Sequence, residues 1–342
     1  MKKLFVLISL IFLLAIGCEK KQLKVVPSKE SNKIDTIDIK PITNNENISL
    51  LYNLTPNTIF KYKLNTYSKN TQTLQLDSLI SGYVTQNVTY FFDVKVKDKE
   101  KDGKLTLDIF CKEITASSES STGEKFQYDS KNPPTDSLGK IISKNFEILS
   151  GLDFSVRITP TGEILDIFRS NNILDKLLTD APRKPSNEER QQIKMDIEQG
   201  VLIPLVQQIF KILPDKSINV DSTWDQSYPS QISVFELQNK AQYRVNRIFE
   251  SNNKKIVEIF GTLNALSSGK TNYTEGNISY KFSKPKISGN SKIYYDLDKK
   301  CIRNAVSEVN LELAVNMNQK GDPRTYKKID KIETKNTLTL LD

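Results

Sequence analysis

The segment VTYFFDVKV, residues 88–96, decides the fold class of this 342-residue chain. Its alternate positions are apolar: Val88, Tyr90, Phe92, Val94 and Val96. Successive side chains of a β-strand point to opposite faces, so a period of two is typical of a strand with one buried face. The segment therefore predicts a half-buried β-strand.

Hairpin signals surround this strand. The polar run 99–104 contains Asp102-Gly103, a pair typical of tight turns, and apolar residues alternate again from Leu105 to Cys111. A second hairpin is predicted over residues 154–168, around the sequence Thr-Pro-Thr-Gly at 159–162. Residues 116–140 lose the alternation and contain two glycines and two prolines, so they are predicted to form a surface loop.

Between residues 170 and 213 the apolar period becomes helical. Ser186 and Glu189 match a capping box at the start of a helix, and Gly200 and Pro204 are expected to break that helix. An apolar stripe then runs from 205 to 213. We expect this stripe to pack on the sheet as core, and the alternative is a helix that binds a partner.

Beyond Pro214 long segments with a period of two return, without the strand–helix alternation of parallel sheets. The predicted fold is therefore mostly β, in the α+β class: a large curved antiparallel sheet or an open β-barrel with a central helical segment. The segment 293–306 has the same strand–turn–strand pattern as 154–168, with Cys301 in the place of Ile164. An internal duplication of the two β halves is left open.

The N-terminus has the pattern of an export signal. Lys2 and Lys3 precede the uncharged run from Leu4 to Ile16, which is shorter than the roughly 20 apolar residues of a membrane-spanning helix. The sequence LAIGC at 14–18 resembles the lipobox of bacterial lipoproteins. This resemblance implies cleavage before Cys18 and attachment of lipid to Cys18, whereas the alternative is an ordinary secretory signal cleaved near Gly17.

These patterns divide the chain into three parts. Residues 1–17 are predicted to be a signal peptide, and 18–48 the lipidated cysteine with a flexible tether. Residues 49–342 are predicted to be one β-rich domain, with a first β half at 49–169, a helical segment at 170–213 and a second β half at 214–342. Loss of the signal removes two of 49 basic residues and leaves 41 acidic ones, a net charge near +6. This charge is spread along the chain and does not favour nucleic-acid binding.

Three short segments resemble one family. They are LPDK at 213–216, VDSTW at 220–224 and AQYRV at 241–245, and together with the predicted hairpins they are similar to bacterial lipoproteins that are known only as a domain of unknown function. That family usually has glycine and aspartate where Asp221 and Ser222 stand here. The resemblance covers 49–342 and implies an envelope lipoprotein without assigned catalytic residues. More loosely, a curved sheet closed by helices is similar to periplasmic half-barrel carriers of lipid or lipoprotein acyl chains.

The residue inventory argues against an enzyme. The chain has no histidine, which excludes Ser-His-Asp and Cys-His nucleophile pairs and zinc sites that use histidine. The Ser-x-x-Lys patterns at 137–140 and 267–270 lack the accompanying motifs of serine acyl-transferases. Asp296 and Asp298 lack the spacing of a calcium-binding EF-hand loop. We therefore predict no catalytic residues, no cofactor and no metal site.

Two cysteines remain once Cys18 is modified. Cys111 and Cys301 would both face an oxidising compartment after export, so a disulfide between them is open. Each, however, stands in phase with buried apolar residues of a predicted strand. We therefore favour two unpaired buried thiols.

Two functions of different class fit this sequence. In the first, the concave sheet binds a hydrophobic or lipid-like ligand in an apolar pocket, whose predicted lining is Val88, Tyr90, Phe92, Val94, Leu205, Ile209 and Phe210. In the second, the protein is a structural or assembly protein of the envelope that contacts another envelope protein. We favour the first, because long strands rich in aromatic residues favour a wide barrel mouth. The residues after Cys18 lack a dense acidic run, which favours the periplasmic face of the outer membrane.

Overall fold

The computed structural model describes residues 40–41, 47–179 and 183–341. Its strands are β1 (Lys40–Pro41), β2 (Ile59–Gln75), β3 (Leu79–Lys99), β4 (Leu105–Ser120), β5 (Lys125–Asp129), β6 (Asp153–Ile158), β7 (Ile164–Phe168), β8 (Thr223–Ile232), β9 (Phe235–Ser251), β10 (Lys254–Gly269), β11 (Asn272–Glu275), β12 (Ile278–Phe282), β13 (Lys286–Asp296), β14 (Cys301–Gln319) and β15 (Thr325–Leu341). Its helices are α1 (Ser137–Glu147), α2 (Asn171–Leu178), α3 (Asn187–Ile197) and α4 (Ile203–Ile209), with a π-helical turn (Glu198–Leu202) between the last two. The predicted signal peptide, Cys18 and most of the predicted tether lie outside the described residues.

The described strands form one antiparallel sheet. Its order is β1-β9-β10-β13-β14-β15-β2-β3-β4-β6-β7, with β8 beside β9, β5 beside β4, and the β11–β12 hairpin beside β14. Within the described part of the chain, the two ends of this order do not pair with each other, so the sheet is open. The predicted fold class, mostly β with a large antiparallel sheet and a central helical segment, is confirmed.

Both predicted hairpins are confirmed, and the predicted loop is wrong. β3 turns into β4 at Asp102-Gly103, and β6 pairs with β7 around residues 159–162. Residues 116–140, in contrast, contain the end of β4, all of β5 and the start of α1. The end of β4 is rich in serine, and backbone hydrogen bonds hold it between β3 and β5. A strand that pairs in this way need not show apolar alternation.

The central helix is longer than the sequence predicts. The capping box is confirmed, since the Ser186 hydroxyl accepts from the Glu189 N–H and the Glu189 carboxylate accepts from the Ser186 N–H. The predicted break at Gly200 and Pro204 is wrong, because the π-helical turn joins α3 to α4 at this point. A π turn is wider than an α turn, and Pro204 stands in the first turn of α4, where its missing N–H costs little.

The core lies where the helices meet the sheet. Helix α4 contacts β15 in the middle of the sheet and β7 at its edge, so the sheet curves around this helix. The buried side chains of Val206 and Ile209 carry the contact on the helix. Tyr52 donates from its hydroxyl to the Lys211 carbonyl at 3.0 Å, and Tyr295 donates to the Leu51 carbonyl at 2.6 Å. Helix α4 and the segment that contains Leu51 and Tyr52 together fill one end of the curved sheet. We call this end of the sheet the core end.

Cys111 and Cys301 are free, buried thiols. They lie on β4 and β14, with β15, β2 and β3 between them in the sheet. Burial raises the pKa of each thiol to about 12. The reactive thiolate is therefore scarce at neutral pH.

Candidate ligand-binding face

Strand register defines which residues share the inner face of the sheet. Residues directly opposite each other in antiparallel strands point to the same face. At the core end, one such row crosses five strands, and every member is buried: Ile259, Ile293, Ala305, Leu338 and Leu64. Because this row packs into the core, its face is the concave one.

The inner face continues far beyond the core. Four residues further along, the row of opposed residues is Leu263, Gly289, Val309, Thr334, Ser68 and Gln86. The next rows bring Ile287, Leu311, Ile332 and Leu313 to the same face. These aliphatic side chains are half-buried, and none of them packs against the core among the residues that the structure describes. On β9 the same face is buried at Ala241, Leu237 and Phe235. We call its half-buried part on β10, β13, β14, β15, β2 and β3 the uncovered half of the inner face.

Charge is segregated between the two faces of these strands. On β15 the outer positions carry Lys327, Lys331, Glu333 and Lys335, which are exposed. The inner positions of β2, β3, β10, β13, β14 and β15 in the uncovered half hold neutral side chains, with Lys328 and Asp330 as the exceptions in this part of the chain. Those two form an ion pair, with the lysine Nζ 3.2 Å from the aspartate Oδ2. A solvated sheet face normally carries charge, so this inner face has the composition of a contact surface.

The uncovered half has an apolar and a polar wall. β10, β13 and β14 supply aliphatic residues, whereas β2 supplies Thr66, Ser68, Asn70 and Gln72. Two side-chain oxygens on this face are buried and accept no hydrogen bond from a described residue: Oδ1 of Asn70 and Oδ1 of Asp330. A buried acceptor without a donor is costly, so a water or a ligand donor suits this place. An elongated amphiphile matches such a surface, since one side of it is apolar and the other can hydrogen-bond.

Trp224, the single tryptophan of the sequence, marks the border between the core and the uncovered half. Its ring stacks on Tyr243, with ring centroids 5.3 Å apart, and both rings pack against the core. Its Nε1 donates to the Ile212 carbonyl at 3.4 Å. Burial raises the pKa of Tyr243 to about 12. The intrinsic fluorescence of the protein therefore reports on the inner face.

The residues of the predicted pocket meet in the packed core. Val88, Phe92 and Val94 on β3 are buried, as are Leu205, Ile209 and Phe210 from the helical segment, and Tyr90 packs against them as a partly buried residue. The rings of Tyr90 and Phe92 stack at 5.7 Å, and Phe210 meets Tyr52 edge to face at 5.2 Å. A ligand pocket at these seven residues stays a prediction. Strand β3 continues from this core into the uncovered half of the inner face, which begins at Gln86 on this strand.

Two surface cavities lie elsewhere. One, of about 420 Å³, is lined mostly by polar residues of β3, β4 and β5, among them Thr89 and Gln127. The other, of about 480 Å³, lies at the core end between the segment 53–61 and the end of β15. None of the seven predicted pocket residues lines either cavity.

Among the described residues, there is no group of three or more cysteine, aspartate or glutamate side chains that could hold a metal ion. No helix in the same residues is both long and apolar enough to cross a membrane.

The structure is that of an open antiparallel sheet protein with a helix-filled end and an uncovered inner face. The chain belongs to the family of unknown function DUF6263, whose family model matches residues 102–301. No curated protein matches the sequence.

Several solved structures resemble the fold weakly. Lipovitellin, described for its lipid–protein interactions, is 12% identical over 84% of this chain and 25% of its own chain, with a TM-score of 0.45. This chain thus spans about a quarter of the length of lipovitellin. An outer membrane channel from Pseudomonas putida F1 is 8% identical over 85% of this chain and 98% of its own, with a TM-score of 0.21. OccK7 from Pseudomonas aeruginosa is 8% identical over 83% and 100%, with a TM-score of 0.22. These similarities concern the fold and carry no functional conclusion.

Proposed function

We propose that this protein is an envelope lipoprotein that binds an amphiphilic, lipid-like ligand on the uncovered half of its inner face. The observation that carries the proposal is the segregation of charge described above. Most charged side chains of this half lie at outer positions, above all on β15, whereas the inner positions beyond the core are neutral except for Lys328 and Asp330. The inner positions of β10, β13 and β14 include the half-buried aliphatic residues Leu263, Ile287, Val309, Leu311 and Leu313. Apolar surface left uncovered by the protein marks a binding site for a ligand or a partner.

The proposed role is binding and not catalysis. The sequence offers no histidine, and the inner face offers a single ion pair, Lys328 with Asp330, among the residues described. We further propose that lipid on Cys18 holds the domain at the periplasmic face of the outer membrane. A ligand-binding surface on such a tether stays close to a source of lipid.

Substitution of Leu263 by glutamate tests the binding face. Leu263 is half-buried on the inner face of β10, so a carboxylate here would have to lose water against an apolar ligand. We expect binding of a lipophilic fluorescent probe to weaken on the order of tenfold, which corresponds to about 1.4 kcal/mol. Trp224 fluorescence provides an independent reading of the same titration.

Leu266→Glu is the matched control. Leu266 lies three residues further on the same strand, points to the outer face and is 60% exposed. Its substitution should leave probe binding unchanged. Equal loss in both variants, or in neither, would contradict the assignment of the inner face. If the unmodified protein binds no probe and co-purifies with no lipid, the envelope assembly role is favoured instead.

The proposed anchor has its own test. Metabolic labelling with a fatty-acid analogue should mark the wild-type protein and fail to mark Cys18→Ser, because the thiol of Cys18 is the proposed attachment atom. Cys111→Ser is the control and should retain the label, since Cys111 is buried in the core. Label that persists in Cys18→Ser would exclude anchoring at this residue.

A further inference from the structure

Three turns lie together at the end of the sheet opposite the core end. Gln75 next to the β2–β3 turn pairs with Lys327, and Lys327 pairs with Asn316 next to the β14–β15 turn. Phe282 of the β11–β12 hairpin pairs with Val315 at the same level. Arg324 and Asp77 form an ion pair at 3.6 Å that links two of the turns directly. We call residues 75–80, 270–284 and 317–327 the rim.

The rim exposes large apolar side chains. Leu76, Leu79 and Ile80 at the β2–β3 turn are 39%, 68% and 37% exposed, and Tyr273 on β11 is 51% exposed. A single exposed leucine needs no explanation, whereas three within five residues of one turn form a patch. Apolar and aromatic tips of this kind suit the boundary between lipid headgroups and acyl chains.

The rim is also basic. It carries six basic residues against three acidic ones, Asp77, Glu275 and Asp322; the basic residues are Lys270, Lys281, Lys284, Lys320, Arg324 and Lys327. Arg324 pairs with both aspartates, Asp77 and Asp322. Lys281, Lys320 and Lys327 are exposed and form no ion pair with another described residue. Their charge is therefore available to an anionic surface.

The inner face opens at this rim. Near the rim a row of opposed residues crosses the inner face: Phe282, Val315, Lys328, Leu74 and Ile80. Val315 is buried, whereas Ile80 belongs to the exposed apolar turn. One further row, Tyr280, Met317 and Tyr326, follows at the rim itself. Strand β1 lies at the other end, where Lys40 pairs with Glu250 beside the β9–β10 turn. At about 3.3 Å per residue, β10 alone separates these two ends by roughly 50 Å. The apolar route along the inner face thus ends on the rim and away from the tether.

We propose that the rim is a contact surface for an anionic lipid bilayer, through which a lipid-like ligand passes onto the inner face. Leu76, Leu79 and Ile80 enter the headgroup boundary, and Lys281, Lys320 and Lys327 face the anionic headgroups. The contact itself does not require that the inner face hold a ligand. Failure of the Leu263→Glu test and failure of the experiment below are therefore separate results.

A fluorophore attached at Leu79→Cys in the full-length protein tests this contact. Cys111 and Cys301 are buried with raised pKa values, and the thiol of Cys18 carries the proposed lipid, so a thiol-reactive dye should modify the new cysteine selectively. The labelled protein is added to phosphatidylcholine vesicles, with or without one-third phosphatidylglycerol, that contain lipids with a quencher on the headgroup. We expect quenching several times stronger with phosphatidylglycerol, and weaker at high salt because surface charges are screened.

Lys101→Cys is the control for position. Lys101 is exposed in the β3–β4 turn at the core end, and the Cys18 anchor would bring it equally to both kinds of vesicle. Its quenching should not depend on phosphatidylglycerol. The same dependence at both positions, or no dependence at position 79, would overturn the proposal.

Charge reversal on the rim provides a second variant that keeps the fold. Lys281→Glu, Lys320→Glu and Lys327→Glu combined should abolish the dependence on phosphatidylglycerol at position 79. The control variant combines Lys61→Glu, Lys95→Glu and Lys97→Glu, which change the net charge by the same amount at exposed residues of the core end. In this control the quenching at position 79 should still depend on phosphatidylglycerol. Equal loss in the two triple variants would mean that net charge alone attracts the protein, which contradicts a rim-specific contact.

Discussion

Replacement of Ile209 by alanine is expected to lower the free energy of unfolding by about 2–5 kcal/mol, the range for large-to-small substitution of a buried aliphatic residue. Ile209 is 1% exposed on helix α4, in the core that joins the helix to the sheet. Removal of its side chain leaves a cavity that packed neighbours can fill only in part. The midpoint of urea denaturation, followed by circular dichroism, measures the loss.

The comparison with Leu311→Ala gives this experiment its functional meaning. Leu311 is half-buried on the uncovered half of the inner face and packs against no core residue among those described. We expect its substitution to cost below about 1 kcal/mol in stability and to weaken binding of a lipophilic probe. The opposite pattern, with stability unchanged and binding lost in Ile209→Ala, would place the pocket at the helix, where the sequence alone puts it.

The fold class follows from local periodicity, which is why the sequence predicts it. The alternation at 88–96 and the turn at Asp102-Gly103 are both local signals, and the structure has β3, β4 and their hairpin at these residues. The capping box at Ser186 and Glu189 is equally local and is confirmed. Each of these features depends on residues only a few positions apart.

The errors have a different origin. The end of β4 is held by backbone pairing on both sides, and its serine-rich side chains give no apolar period. The π-helical turn at Glu198–Leu202 carries the chain past Gly200 and Pro204, although those residues predict a break. In both cases tertiary structure overrides the local signal, because hydrogen bonds and packing from neighbouring elements hold the segment in a conformation that its own residues do not favour.

The uncovered half of the inner face depends on a long-range fact, namely how far along the strands the helices reach. Sequence alone cannot give that distance, so it places the pocket at Val88 to Val94, which pack in the core with the helical segment. A signal is nevertheless present. From 331 to 335, the charged residues Lys331, Glu333 and Lys335 alternate with the neutral residues Ile332 and Thr334. Periodicity of charge, and not only of hydrophobicity, marks β15 as a strand with one face away from water.

Gly162→Ala is expected to destabilise the protein by about 2–4 kcal/mol, because two costs coincide at this turn. Gly162 has a φ of +91°, which side chains rarely adopt. A Cβ atom here would also lie 2.6 Å from the Lys211 carbonyl oxygen and 2.6 Å from the Tyr52 ring. The measurement is again the midpoint of urea denaturation.

Gly151→Ala separates the two costs. Gly151 has a φ of +71°, but no atom lies within 4 Å of the position that a Cβ atom would take, so alanine there meets only the backbone cost of about 1 kcal/mol. The β6–β7 turn is hydrogen-bonded to its neighbours, since Tyr52 donates its N–H to the Pro160 carbonyl and Leu213 donates its N–H to the Thr161 carbonyl, both at 2.8 Å. The additional loss of stability in Gly162→Ala then measures how rigidly these neighbours are held against the turn. Equal losses of stability in the two variants would show that Tyr52 and the Lys211 backbone move aside at little cost. A larger loss at Gly162 would show that the turn fixes the end of the helical segment against the sheet, and thereby fixes where the uncovered half of the inner face begins.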